Sequence, residues 1–127
     1  MANRRIRLGS DFSGLDTPYW ALQRLQVPCR HVFSCDCEPA SLKVLHFLQP
    51  EIVYTDVRAR NVQEAPDVDL FCFGPPCQSY SRQGKRQFDD CELGCLGLHS
   101  LAYIIYHKPR LILINRCEMW CRRSSRR

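Results

Sequence analysis

At 127 residues, 45% hydrophobic and 24% charged, the chain is long enough for one domain with its own core but small for a complete doubly wound enzyme. Its formal net charge of +5 is misleading as a nucleic-acid signature, because Arg116–Arg127 holds five arginines against one glutamate and leaves 13 basic and 12 acidic groups in residues 1–115. No run approaches the roughly 20 apolar residues of a membrane span, and nine cysteines, an odd count with no signal peptide ahead of them, argue against a disulfide scaffold and for a reducing, intracellular setting.

In chain order, Ile6–Ser10 is expected as a first strand and Thr17–Leu25 as a helix, with Tyr19, Leu22 and Leu25 apolar at helical spacing. Thr17-Pro18 is expected to start that helix as an N-cap followed by proline at the first helical position. A second strand is expected over His31–Ser34 and a second helix over Pro39–Leu48, carrying Leu42, Leu45 and Leu48 on one side. Ile52–Tyr54 and Asp69–Phe73 read as strands, Leu96–Tyr106 as a helix and Leu111–Ile114 as a fifth strand. Strands separated by helices require parallel pairing with right-handed crossovers, hence an α/β fold: an open, mostly parallel sheet with helices on both faces. No internal repeat or interdomain linker interrupts residues 1–115, and the composition of residues 116–127 is that of a disordered basic tail.

Two loops carry chemistry. Gly74-Pro75-Pro76-Cys77-Gln78-Ser79-Tyr80-Ser81 follows a buried-type strand, and its paired prolines fix φ and remove backbone donors, so a thiol can be held at a set position beyond the strand end. A cysteine there is a candidate nucleophile, given surroundings that favour the thiolate or activate the electrophile. Some sixty residues upstream, Ser10-Asp11-Phe12-Ser13-Gly14-Leu15-Asp16-Thr17-Pro18 follows a strand and precedes a helix, and Gly14 lets the backbone approach a ligand closely.

Together these loops resemble those of the cytosine-5 DNA methyltransferase family, whose catalytic Pro-Cys-Gln follows a strand and whose cofactor turn contains Asp, Phe and Gly; the resemblance runs from about Ile6 to Leu113. It implies a Rossmann-like methyltransferase fold, here in its cofactor-binding and catalytic-loop half, with S-adenosylmethionine as cofactor. Phe12, Ser13, Gly14, Asp36, Cys37, Asp56, Val57, Pro75 and Leu96 fall at the implied cofactor positions. Asp36, 22 residues after Gly14, would hold the ribose hydroxyls, a spacing general to such acids, and Asp56 would accept from the adenine amino group. Gly94-Cys95-Leu96 matches the family's Gly-x-Leu helix start. Cys77 would add to cytosine C6 and make C5 nucleophilic, while Gln78 and Ser81 would contact the substrate; Arg82, Lys85 and Arg86 would supply positive charge. In a duplex the base must first leave the stack, at a cost of a few kcal/mol.

Two departures accompany the match. The family's Glu-Asn-Val, whose Glu grips the cytosine ring, falls on Asn115-Arg116-Cys117, and the family's recognition half has no counterpart in the sequence. Two functions therefore stay open: an impaired DNA (cytosine-5)-methyltransferase, and a non-catalytic S-adenosylmethionine-binding or nucleic-acid-associated protein. RNA is also open as substrate, since one family branch methylates transfer RNA. A eukaryotic source would place the protein in the nucleus. Cys91-x-x-x-Cys95 and Cys117-x-x-x-Cys121 have zinc-ligand spacing, but the first pair overlaps a helix start and the second lies in the tail, so no metal is expected.

Overall fold

The computed structural model describes residues 4–75 and the backbone of 92–115, with side chains from 96 onward. The elements are β1 (Ile6–Asp11), α1 (Thr17–Arg24), β2 (Cys29–Cys35), α2 (Pro39–Leu48), β3 (Ile52–Tyr54), β4 (Leu70–Phe73), α3 (Glu92–His107) and β5 (Leu111–Ile114). All four strand pairings are parallel, in the order β3-β2-β1-β4-β5. From β1 the chain steps outward to β2 and β3, then crosses back to place β4 on the other side of β1. The crevice at the carboxyl ends of β1 and β4 is therefore a topological switch point, the position where open α/β sheets bind ligands.

The expected elements are all present, several with shifted ends. β2 is longer than the His31–Ser34 core because its flanks also pair, Cys29 with Ile6 and Cys35 with Asp11. β1 likewise runs through Asp11, and α3 starts four residues before Leu96. The helix cap differs in kind: Thr17 is already helical, Asp16 is the N-cap in the left-handed conformation with φ 56°, and its side chain makes no capping bond. Asp is among the few residues that reach this region readily. Its carboxylate points instead into a buried polar cluster described below. Leu25, expected on the apolar face of α1, is the C-cap and is exposed, since it lies past the last turn that could press it on the sheet. Of the three leucines spaced along α2 only Leu45 is fully buried.

The core is aromatic. Phe33, Phe71, Phe73 and Tyr103 pack with Val32, Ala65 and Val68, and Phe12, Tyr54 and Ile104 lean on them from the periphery. Tyr103 of α3 contacts Phe71 at 4.6 Å and Phe33 at 5.4 Å between ring centroids, edge or tilted geometries that suit ring quadrupoles. Its hydroxyl donates to Pro66 O at 2.6 Å, so a fully buried ring still has its polar end satisfied. Phe33 fits only because β1 carries Gly9 opposite it: a Cβ there would lie 2.6 Å from two ring carbons. At the other end of the sheet, Asp69 accepts from the backbone N–H and guanidinium of Arg7, at 3.0 to 3.2 Å, and fixes the start of β1 beside β4. These bonds bring the Asp69 carboxyl down to about 2. β5 closes the row with Leu111–Ile114 all well exposed. Among the described residues no helix is long and apolar enough to cross a membrane.

Gly9→Ala should lower unfolding stability by roughly 1–3 kcal/mol, because the Phe33 ring must leave its place in a close-packed core; a urea midpoint equal to that of the parent would contradict the packing. The Asp69 carboxyl sits lower in the folded chain than its ordinary 3.8, so its contribution is present above that value and lost as pH falls through about 2. Asp69→Asn should therefore cost about 1 kcal/mol at neutral pH, and the gap between variant and parent should close as denaturant curves are taken from pH 4 toward pH 2.

Candidate active site

Three carboxylates and the base of the Cys77 loop stand at the carboxyl ends of the strands. Asp11 ends β1, Asp36 follows β2, Asp56 lies two residues beyond β3, and Gly74-Pro75 follows β4. The loop between β1 and α1 is folded tightly by its own short side chains. The Ser13 N–H donates to Cys35 O at 3.0 Å, and the Ser13 hydroxyl accepts the Cys35 N–H at 3.1 Å, so the loop is stapled to the end of β2. Phe12 has φ 54°, uncommon for a bulky residue, and Gly14 has φ 55°. A Cβ at Gly14 would meet nothing within 4 Å, so the loop faces open space there.

Asp36 is aimed at this loop. Its Oδ2 accepts the Gly14 N–H at 2.8 Å and its Oδ1 accepts the Glu38 N–H at 2.9 Å, which locks the carboxylate across the mouth of the crevice. A carboxylate has about four acceptor sites, so two remain for hydroxyls of a ligand. Asp56 is held otherwise: the Arg58 guanidinium and N–H bond it at 2.9 to 3.3 Å and keep its carboxyl below the ordinary carboxylate range, the side-chain bonds contributing most. A ligand amino group reaching Asp56 would share it with Arg58. Next to them Cys37 is exposed and Val57 buried, while Pro75 and Leu96 are half-buried. Pro75 and α3 touch, since a Cβ on Gly97 would lie 3.3 Å from the proline ring.

Two buried clusters under the loops escaped the sequence analysis. In the first, Asp11 receives both terminal nitrogens of Arg60, at 2.5 and 2.8 Å, and the Ser100 hydroxyl at 2.7 Å. Neither charged side chain has any exposure. The guanidinium also lies 5.2 to 5.6 Å from the centroids of Phe33, Tyr54 and Tyr103, a cation–π setting that suits arginine. In the second, the fully buried carboxylate of Asp16 binds Ser34, Ser10 and His31, the last stacked on Tyr19 at 4.6 Å. A carboxylate at the end of a strand in an apolar core demands a cation or several donors, and that requirement could have prompted a search for partners. The partners lie 49 and 89 residues from Asp11, and no local pattern marks them.

Cys77, Gln78 and Ser81 lie outside the described residues, as do Arg82, Lys85 and Arg86 and the tail beyond Asn115. So do the thiols of both zinc-spaced pairs; among the described residues no three His, Cys, Asp or Glu side chains could hold a metal ion. The base of the Cys77 loop is described. A Cβ on Gly74 would stand 3.0 Å from the Asn115 side chain, and the Asn115 N–H donates to Phe73 O at 2.9 Å, so position 115 borders the start of that loop. Cys72, in β4 two residues before Gly74, is buried, and burial with the nearby Asp16 charge pushes its thiol up to about 11.

The family model for C-5 cytosine-specific DNA methylases matches residues 6–115. Among curated proteins, the type II methyltransferases M.NlaIV of Neisseria lactamica and M.NgoBV of Neisseria gonorrhoeae are each 30% identical over 115 residues, covering 89% of this chain and 27% of theirs. Mouse DNA (cytosine-5)-methyltransferase 1 is 28% identical over 114 residues, 80% of this chain and 7% of that one. The chain thus spans about a quarter of the length of the bacterial relatives. In fold it is similar to the crystal structure of the S. pombe Dnmt2 methyltransferase, with a TM-score of 0.68 at 21% identity over 96% of this chain and 42% of that one. The family match opens on the first residue of β1 and closes on the residue after β5, so it takes in every element described above, and the chain belongs to the C-5 cytosine-specific DNA methylase family.

Proposed function

We propose that this chain is the cofactor-binding and nucleophile-bearing part of a DNA (cytosine-5)-methyltransferase acting through Cys77. The observation that carries the proposal is the placing of the Phe12–Gly14 loop and the base of the Cys77 loop on the two sides of one switch point, with Asp36 locked across the first at 2.8 Å. The residues present fit S-adenosylmethionine: open space before Gly14, two carboxylates at neighbouring strand ends, and the buried Val57 with half-buried Phe12, Pro75 and Leu96 as apolar wall. Asp36 would take the ribose hydroxyls and Asp56 the adenine amino group, with Ser13 and Cys37 flanking. When bound, S-adenosylmethionine supplies an electrophilic methyl group.

The chain's own part is nucleophilic. Cys77, as thiolate, forms a bond from Sγ to C6 of a cytosine swung out of the stack, which makes C5 electron-rich. After methylation the C5 proton passes to solvent water, the electrons of the C5–H bond re-form the C5–C6 double bond, and the S–C6 bond breaks to return the thiolate. Gln78 and Ser81 would contact the substrate beside the nucleophile. A group that handles protons on the ring is worth about 10²–10⁴ in rate. At position 115, beside the loop base, the chain has an amide that neither donates nor takes up a proton at neutral pH. Asn115 therefore favours an impaired enzyme, and cofactor binding without turnover is the second reading it supports.

Titration calorimetry with S-adenosylhomocysteine should give measurable binding, and Asp36→Ala should weaken it about tenfold, the equivalent of one charge-assisted hydrogen bond of ~1.5 kcal/mol. Absence of heat from a folded protein at millimolar ligand would refute the cofactor assignment. An oligonucleotide carrying 5-fluorocytosine, supplied with S-adenosylmethionine, should be trapped as a covalent adduct. Cys77→Ser should abolish the adduct and Cys72→Ser should keep it, as expected for a buried thiol that stays protonated. Trapping should be roughly 10²–10⁴ faster in Asn115→Glu; equal rates would show that position 115 takes no part, and an adduct mapped to another cysteine would move the nucleophile.

A further inference from the structure

Three segments that carry the candidate cofactor contacts converge on one buried ion pair. The Phe12–Gly14 loop begins one residue after Asp11. Asp56 and Val57 stand in the turn that leads to Arg60, closed by the Ala59 N–H on Asp56 O at 3.2 Å. Leu96 sits one helical turn before Ser100 on α3. Arg60 and Ser100 both donate to Asp11, so each segment has its anchor in the same cluster. Among the described residues, no backbone hydrogen bond joins residues 56–60 to β1 or to α3, so the Arg60 side chain takes that role.

Two kinds of contact hold the guanidinium, whose buried Nε has no hydrogen-bond partner among the described residues. The two-pronged bond to Asp11 fixes it within its plane. Its Cζ lies over the rings of Phe33, Tyr54 and Tyr103, each centroid within 5.6 Å. Replacing a buried ion pair by apolar side chains is often neutral for stability, because desolvation offsets the attraction, so stability alone does not account for a pair here. Apolar contacts can slide; a fork on a carboxylate has one register.

We propose that Arg60, paired with Asp11 and set over the Tyr103 ring of α3, is the positioning residue of the cofactor site and sets the distance between the Phe12–Gly14 loop, the Asp56–Val57 turn and α3. The proposal rests on the cofactor reading above, but its first consequence is visible without ligand. Three amides report the loop positions: Ser13 N–H on Cys35 O, Gly14 N–H on Asp36, and Arg58 N–H on Asp56.

Two variants of the full chain separate positioning from stability. Asp11→Leu with Arg60→Met removes the charge pair at similar volume, and Arg60→Lys keeps the charge but loses the fork. Hydrogen exchange should be at least about tenfold faster at Ser13, Gly14 and Arg58 in both variants, while core amides such as Phe71 keep their protection. Affinity for S-adenosylhomocysteine should fall about tenfold or more, with Arg60→Lys between the parent and the apolar pair. Unchanged exchange at the three amides in a folded variant would overturn the proposal, and so would an equal loss of protection across the whole core, which marks a purely structural pair. If the apolar pair does not fold, Arg60→Lys decides by the same comparison. A parent that binds no ligand would refute the cofactor reading, and the exchange data would still settle whether Arg60 positions the loops.

Discussion

The bond between Asp11 and Arg60 is the constraint around which the rest of the molecule is arranged. A parallel sheet five strands wide leaves the carboxyl end of β1 under two layers of side chains, and a carboxylate there has lost its water. Removing either partner of such a pair leaves a bare buried charge, at a cost of roughly 3–5 kcal/mol. The surroundings are built to prevent this. Ser100 supplies a further donor from α3, and three aromatic rings face the cation with electron-rich surfaces. Burial and the Asp11 charge also push the neighbouring Cys35 thiol up to about 12, which keeps a second negative charge out of the same space.

The buried network on the opposite face of the sheet solves the same problem with a different set of partners. Asp16 takes donors from Ser10 and Ser34 and meets His31, all on strands it follows or faces. This accounts for the unusual start of α1. The backbone accepts a left-handed residue at the cap so that its side chain can turn inward, and the helix gives up the capping bond that a side chain turned outward would have made. Strain of this type, of order 1–2 kcal/mol, persists where surrounding contacts over-determine it.

What could be read from the sequence divides along physical lines. Element type and order were legible because apolar spacing and Gly/Pro punctuation are local: Pro39–Leu48, Ile52–Tyr54 and Leu111–Ile114 have the expected bounds. The parallel sheet followed from the alternation of strands and helices, and the placing of Asp11, Asp36 and Asp56 at strand ends followed from the sheet. The N-cap was misplaced by one residue because Thr17-Pro18 satisfies the rule for a cap, whereas the true cap serves tertiary contacts that no local rule contains. Arg60 was illegible for the same reason. In the run Asp56-Val57-Arg58-Ala59-Arg60 two arginines look alike, yet Arg58 folds back on Asp56 near the surface while Arg60 reaches across the core to β1. The Asp36 to Gly14 bond lies between these cases: the spacing suggested a shared role at one ligand, and the structure joins the two directly.

The open side of β5 has a consequence for how the sheet can grow. Leu111–Ile114 pairs with β4 along one side only among the described residues, and its four aliphatic side chains are 44 to 60% exposed. On α3, Leu98, Leu101 and Ile105 add an apolar stripe at helical spacing, 42 to 73% exposed. A strand edge unpaired among the described residues, flanked by aliphatic side chains on both faces, is a template for joining another strand. Among the described residues, the edge of β5 is therefore the place where the sheet can be extended by one more strand.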